Sequence, residues 1–221
     1  MDKLNHFKDW CNENSGFISI LIFIASLWIG WMLNKLRKPK LSIRIIPKMS
    51  FYSLFAKEND KGKLIHGIVC FSIYVTISNI GNKATSIKHI ELGYKSDNKL
   101  LLNKRHWIKQ THILDDFIYH FKNGGIVYPL LRTYKYGEQK KDEFLEIGKS
   151  IIGIVYFEQI IDLNSIFPKK GYSGQFPLKL KITDIYGKVK TKKLKLNRIE
   201  IDEARKINSY FGKTYDELMG A

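Results

Sequence analysis

Cysteine is almost missing from this chain: Cys11 and Cys70 are the two it has in 221 residues. That excludes a fold stapled by several disulfides and the paired-cysteine zinc patterns. Nucleotide chemistry lacks its usual marks too, with no Gly-rich P-loop and no dinucleotide fingerprint. Gly171-Tyr172-Ser173-Gly174-Gln175 comes nearest to a serine nucleophile turn, but that turn needs glycine in the fifth place, where Gln175 stands. No cofactor is implied. Acid is scarce as well, with 21 Asp and Glu against 37 Lys and Arg. Such a surplus favours acidic partners, whether lipid headgroups, nucleic acid or an acidic protein. Lysine outnumbers arginine 31 to 6, a usage that fits an AT-rich genome and weakens what the lysine count alone implies.

Charge is also missing from Phe17 to Leu33, where the only polar groups are the hydroxyls of Ser19 and Ser26. As a helix this run reaches roughly 25 Å, near the short limit for crossing a bilayer, and continuing to Leu36 brings it into range. Before it stand Asp2, Lys3, Lys8, Asp9 and Glu13; after it come Lys35, Arg37, Lys38, Lys40, Arg44 and Lys48, with no acid until Glu58. Basic residues next to a span stay cytoplasmic, so the sequence predicts an outside N-terminus and a cytoplasmic main domain, in a bacterial inner (plasma) membrane. Trp28 and Trp31 lie near the basic end, where indoles favour headgroups. A cleaved signal peptide wants its basic cluster before the apolar run and a small-residue cleavage site after it. Ser26 and Gly30 form a small-x-x-x-small pair, with Ser19 two turns earlier on nearly the same stripe, and this predicts a homodimer through the anchor. Cys11 and Cys70 then lie on opposite sides of the membrane.

Beyond residue 40 the grammar turns to strands. Leu41, Ile43 and Ile45 alternate with Ser42 and Arg44. Phe51 to Phe55 reads as a short strand, and Asn59 to Gly62 as a turn. In Ile68 to Ser78 the odd positions are apolar and the even ones more polar, which predicts a core face and a wetter face, with Cys70 on the wetter one. Ser78-Asn79-Ile80-Gly81-Asn82-Lys83-Ala84-Thr85-Ser86-Ile87, followed by Ile90, Leu92 and Tyr94, resembles the B-to-C passage of bacterial immunoglobulin-like sandwiches. Phe144-Leu145-Glu146-Ile147-Gly148, before a strand from Ile151 to Phe157, is similar to such a passage as well. The resemblance implies a fold and no activity.

The expected organisation is a short extracytoplasmic N-terminus (1–16), a single transmembrane α-helix (17–36), a basic linker (37–40), and a mainly-β, immunoglobulin-like sandwich (41–198), then a C-terminal helical tail (199–221). Within the sandwich, an insertion near 99–141 is expected to be helical, because Ile113, Leu114, Phe117, Ile118 and Phe121 fall on one helical face and Asn123-Gly124-Gly125 supplies a stop. On that helix His112, Asp116 and His120 stand at i, i+4 and i+8, an arrangement that lines up three metal-ligand types and equally describes the polar edge of an ordinary helix. Tyr128, Arg132, Tyr134, Lys135 and Tyr136 follow as an aromatic, basic stretch suited to contact or to edge packing.

Leu178, Leu180 and Ile182 alternate with Lys179, Lys181 and Thr183, and Asp184 to Lys188 reads as a hairpin turn centred on Gly187. Leu194 and Leu196 are out of phase with Val189, so a β-bulge is expected near Lys192-Lys193. Lys179, Lys181, Lys188, Lys190, Lys192, Lys193 and Lys195 crowd this hairpin against one acid, Asp184. They read as an anion-binding patch or as a solvated face that blocks edge-to-edge aggregation. Ile201, Ala204, Ile207 and Phe211 predict a tail helix with one buried stripe, and Tyr215 to Met219 a further turn.

These features lead to a non-enzymatic, membrane-tethered interaction module with a protein partner. The alternative is a membrane-bound sensor or effector, in phage defence by analogy, that reads nucleic acid or anionic lipid through the lysine hairpin. An enzyme using His112 and His120 comes third.

Overall fold

A computed structural model describes residues 2–58, 64–95, 105–111, 113, 115–122, 124–131, 144–161 and 175–213. Two helices open the chain, α1 (Asp2–Glu13) and α2 (Ser15–Leu36). The polar α1 was not foreseen in the sequence. The apolar run does form one continuous helix, as expected, and it is long and apolar enough to cross a membrane, with no residue of Ser15–Asn34 buried against the rest of the chain.

The remainder is mainly β, ending in a short helix, α3 (Ile201–Ile207). Its strands are β1 (Leu41–Ile45), β2 (Phe51–Glu58), β3 (Leu64–Asn79), β4 (Thr85–Lys95), β5 (Arg105–Lys109), β6 (Phe117–Phe121), β7 (Gly124–Tyr128), β8 (Phe144–Leu145), β9 (Ser150–Ile161), β10 (Phe176–Asp184) and β11 (Val189–Arg198). Long β3 is the spine of one run: β9 pairs along one edge, while β2 and β1 share the other. The second run is β11–β10–β4–β5, with β8 on the first two residues of β4. A short parallel seam, Asn197 opposite Phe51 and Arg198 opposite Tyr52, joins the two.

Both runs turn their apolar faces to one core. Val69, Phe71, Ile73, Val75 and Ile77 of β3 meet Leu92 and Tyr94 of β4, Leu178, Leu180 and Ile182 of β10, and Leu194 and Leu196 of β11. The odd positions of β3 are therefore the core face, as the alternation predicts. Its even face is a correction: Ile68, Cys70 and Ser72 are buried too. A second cluster covers that face, built from Phe51, Ile154 and Tyr156 of the sheet with Ile113, Phe117 and Leu130 above it and Ala204 and Phe211 of the tail. Burial pushes the Cys70 thiol well above its ordinary pKa, which makes it a packing residue with little thiolate.

The expected insertion helix is absent from the described part of 99–141. Phe117-Ile118-Tyr119-His120-Phe121 is strand β6, and it reverses into β7 with Phe117 opposite Tyr128 and Phe121 opposite Gly124. Aromatic and β-branched residues at every second place suit a strand, and the antiparallel pairing with β7 makes a hairpin where a helix stop was read. Leu114, Tyr134, Lys135, Tyr136 and the turn expected at Tyr215 to Met219 lie outside the described residues.

The bulge also lies elsewhere. The β10–β11 ladder runs without a shift from Phe176–Leu196 to Thr183–Val189. The irregularity is opposite Thr183 and Asp184, in β4, where burial changes phase from Thr85 and Ile87 to Ile90, Leu92 and Tyr94. On β11, Lys190 and Lys192 simply occupy core-side positions and reach solvent. Among the described residues, no strand pairs with β11 beyond β10 until Asn197. Charged side chains on the inward side of an open edge keep a second sheet from adding there.

Candidate functional site at the α2 end of the β domain

Four segments meet where the chain enters the β domain: the linker after α2, the turn after β3, the β8–β9 turn and the β10–β11 turn. Asn79 ties the first three together. It is fully buried, and its Oδ1 accepts from the Gly81 N–H at 3.1 Å and the Lys40 N–H at 3.4 Å. Its Nδ2 donates to the carbonyls of Lys83 at 2.8 Å and Leu145 at 3.1 Å. Its backbone bonds the β8–β9 turn, with Asn79 N–H to Lys149 O and Gly148 N–H to Asn79 O. The linker then behaves as part of the sheet: Ile80 N–H donates to Lys40 O at 2.8 Å, and Asn82 N–H to Lys38 O at 3.1 Å. Pro39 is buried between them. Such close backbone contact is possible because residue 81 is glycine.

The hairpin turn completes this end. Gly187 adopts φ +76°, which glycine reaches without strain. Asp184 is buried, and its Oδ1 accepts from the N–H groups of Tyr186 at 2.9 Å and Lys188 at 2.8 Å. The one acid among the hairpin lysines is therefore committed to holding the turn. Lys188 Nζ lies 3.4 Å from the Pro39 carbonyl, and Lys83 Nζ stands 4.5 Å from the Tyr186 ring centre. A shallow cleft beside these contacts is lined by Pro39, Lys40, Leu41, Asp184, Lys188, Val189 and Lys190.

The seven hairpin lysines do not share one face. Register places Lys179 opposite Lys193 and Lys195 opposite Pro177 on the outer face, whereas Lys190 and Lys192 sit on the core side opposite Ile182 and Leu180. Lys181 is committed elsewhere, 2.7 Å from Glu91 and 4.3 Å from the Trp107 ring centre. A dispersed basic surface binds nucleic acid in proportion to its charge, through released counterions. Replacing Lys179, Lys193 and Lys195 with Gln should then weaken duplex DNA binding at low salt as much as replacing Lys188, Lys190 and Lys192, each lowering the salt slope by about 2–3. Loss from one triple alone, measured by fluorescence anisotropy, would instead mark a built site on that face.

The metal row loses its geometry. Asp116 stands just before β6 and His120 within it, so they are not on successive helical turns. Asp116 Oδ1 accepts from Leu130 N–H at 2.8 Å, His120 is exposed on β6, and His112 lies outside the described residues. Among the described residues, no group of three metal-ligand side chains gathers. In α2 the Ser26 hydroxyl donates to Ile22 O of its own helix, and the space around Gly30 is open. That leaves their stripe available for close packing and removes the Ser26 proton from any bond across a dimer. Sequence reasoning missed Asn79 and Gly81 as more than turn residues, since their partners lie 39 and 66 positions away.

No family model matches this chain, and no curated protein matches it. Among solved structures, Northeast Structural Genomics Consortium target SoR45 is 10% identical over 72% of this chain and 85% of its own, with a TM-score of 0.28. The Iho670 flagellar-like filament is 12% identical over 82% of this chain and 96% of its own, with a TM-score of 0.24. Neither likeness carries an argument.

Proposed function

We propose that this chain is a single-pass, membrane-anchored, non-enzymatic interaction module, with a basic β domain held at the cytoplasmic face of a bacterial inner membrane to dock a protein partner. The observation that carries the reading is the junction. A bare apolar helix ends at Leu36, and three residues later buried Pro39 is already part of the β domain. Little free chain is left there for a signal-peptide cleavage site, which supports an anchor joined directly to the domain. Six of the 37 basic residues and three of the 21 acidic ones precede residue 41, so the part beyond carries +13, a sign suited to an anionic inner leaflet. For the protein partner, the β6–β7 hairpin offers Ile126 and Val127, both exposed, on a strand that among the described residues pairs with β6 alone. Two runs of strands around one core support an immunoglobulin-like sandwich. The rival reading, an anion sensor acting through the lysine hairpin, has less support because the lysines divide between two faces.

Topology reporters test the proposal. A C-terminal fusion should be active only with a cytoplasmic reporter, and the protein should resist alkaline carbonate extraction. Replacing Lys35, Arg37, Lys38 and Lys40 with Asn should mix the orientation. A fusion active only in the periplasm, or release of the intact domain from the membrane, would overturn the reading.

A further inference from the structure

The turns at the anchor end carry apolar residues at their tips, where a water-facing turn carries polar ones. Ile80 after β3 is 56% exposed, Ile147 between β8 and β9 60%, and Ile185 and Tyr186 between β10 and β11 51% and 47%, with Val189 just beyond at 56%. These belong to one end. Ile80 N–H bonds Lys40 O, Ile185 N–H bonds Ser86 O at the start of β4, and the β8–β9 turn is bonded through Asn79. Lys38, Lys40, Lys83 and Lys188 lie around the tips. The acids there are engaged within the protein: Asp184 is buried and accepts from two backbone N–H groups, and Glu146 pairs with Lys149 at 2.6 Å.

We propose that this end of the domain docks onto the anionic bilayer from which its own anchor emerges, with the turn tips in the headgroup and upper acyl region and the lysines among the lipid phosphates. Two residues, Arg37 and Lys38, separate the helix from Pro39, so Leu36 and Pro39 lie at most about 11 Å apart. The tips therefore lie near the headgroups whichever way the helix tilts. The apolar residues stand singly on separate turns, which suits insertion between lipids better than one continuous protein contact. Each lysine presents a long apolar stem and a charged head, as the interface favours. The surface rests on the reading of α2 as a membrane span, and it adds a second, reversible contact to that anchor. The domain is held end-on with its β6–β7 hairpin and outer faces free.

The test uses the full chain carrying Cys11→Ser, with single labelling sites at Ile147→Cys, Ile185→Cys and, as control, Lys195→Cys. The control is about 20 Å along β11 from the turn. Cys70 is fully buried and stays unlabelled. Each protein carries an environment-sensitive fluorophore and is placed in nanodiscs of phosphatidylcholine, with or without about a third phosphatidylglycerol, and with spin-labelled lipid as quencher. Labels at 147 and 185 should be blue-shifted and quenched at least threefold more than the label at 195. Lys83→Gln with Lys188→Gln should reduce that difference in the anionic discs. Equal quenching at all three sites, in protein that resists carbonate extraction, overturns the docking surface and leaves the anchor standing. Protein released by carbonate overturns the anchor and the docking surface together.

Discussion

Phe211→Ala is expected to cost about 3–5 kcal/mol of folding free energy, the largest loss of any substitution in the tail. The ring is fully buried, and Phe51, Tyr156 and Phe117 surround it at centroid distances of 5.5, 5.3 and 6.2 Å. It is the peg that joins the C-terminal segment and the β6–β7 region to the back of the first sheet. Removing it leaves a cavity that rigid strands β3 and β9 cannot close, so the lost transfer energy and the void add. The Tyr156 hydroxyl, which accepts from Gly212 N–H at 3.0 Å and donates to Glu158 Oε2 at 2.6 Å, loses its cover too. Denaturant unfolding of the full chain in detergent measures the cost. A second readout is local: Cys70 lies beneath the tail with its thiol pKa pushed up by burial, so its alkylation at pH 8 is slow and should quicken at least tenfold in the variant. An unchanged alkylation rate would mean that the tail does not cover the sheet in solution. Phe211→Leu keeps most of the volume and should lose much less.

How much of this was legible follows from where the information sits. The apolar helix was legible because a long uncharged run specifies itself, with no partner needed. So were the odd face of β3 and the turn at Gly187, whose signals are local alternation and a glycine. The segment from Ile113 to Phe121 was misread because a short apolar run satisfies both helical and strand spacing, and what decides is the reversal into β7. The even face of β3 looked wet because Ser72, Tyr74, Thr76 and Ser78 are polar, yet the first half of that face is sealed by chain that arrives 40 to 140 residues later. At the candidate site the lysines were visible and their division between two faces was not, since that depends on the β10–β11 register. The phase change was seen on β11 and the bulge belonged to β4. Nothing local to Asn79 discloses that it receives the linker.

Gly81→Ala is expected to detach that linker. The three atoms nearest a methyl group at residue 81 would all be backbone: Lys40 N, Lys38 O at 2.5 Å and the Pro39 carbonyl carbon at 2.8 Å. None of them swings away as a side chain does, so the linker must shift as a unit. The shift breaks the bonds from Ile80 to Lys40 and from Asn82 to Lys38 and uncovers Pro39. Two backbone hydrogen bonds, with the carbonyls they leave unpaired, put the loss at about 2–4 kcal/mol. Stability alone would not identify the cause, and trypsin does. Arg37 N–H caps α2 at Leu33 O, and Lys38 and Lys40 are bonded to the turn after β3, so wild-type protein in membranes should be cut slowly after Arg37 and Lys40. In Gly81→Ala the same bonds should be cut at least tenfold faster, releasing an otherwise folded β domain from the membrane. Asn79→Ala should act in the same direction, because it removes the acceptor of Lys40 N–H, while Asn82→Ala, altering only an exposed side chain, should leave the rate unchanged. Fast cleavage of the wild-type protein, matched by Gly81→Ala, would show that the linker is a free tether, and the end-on placement at the bilayer would lose its structural basis.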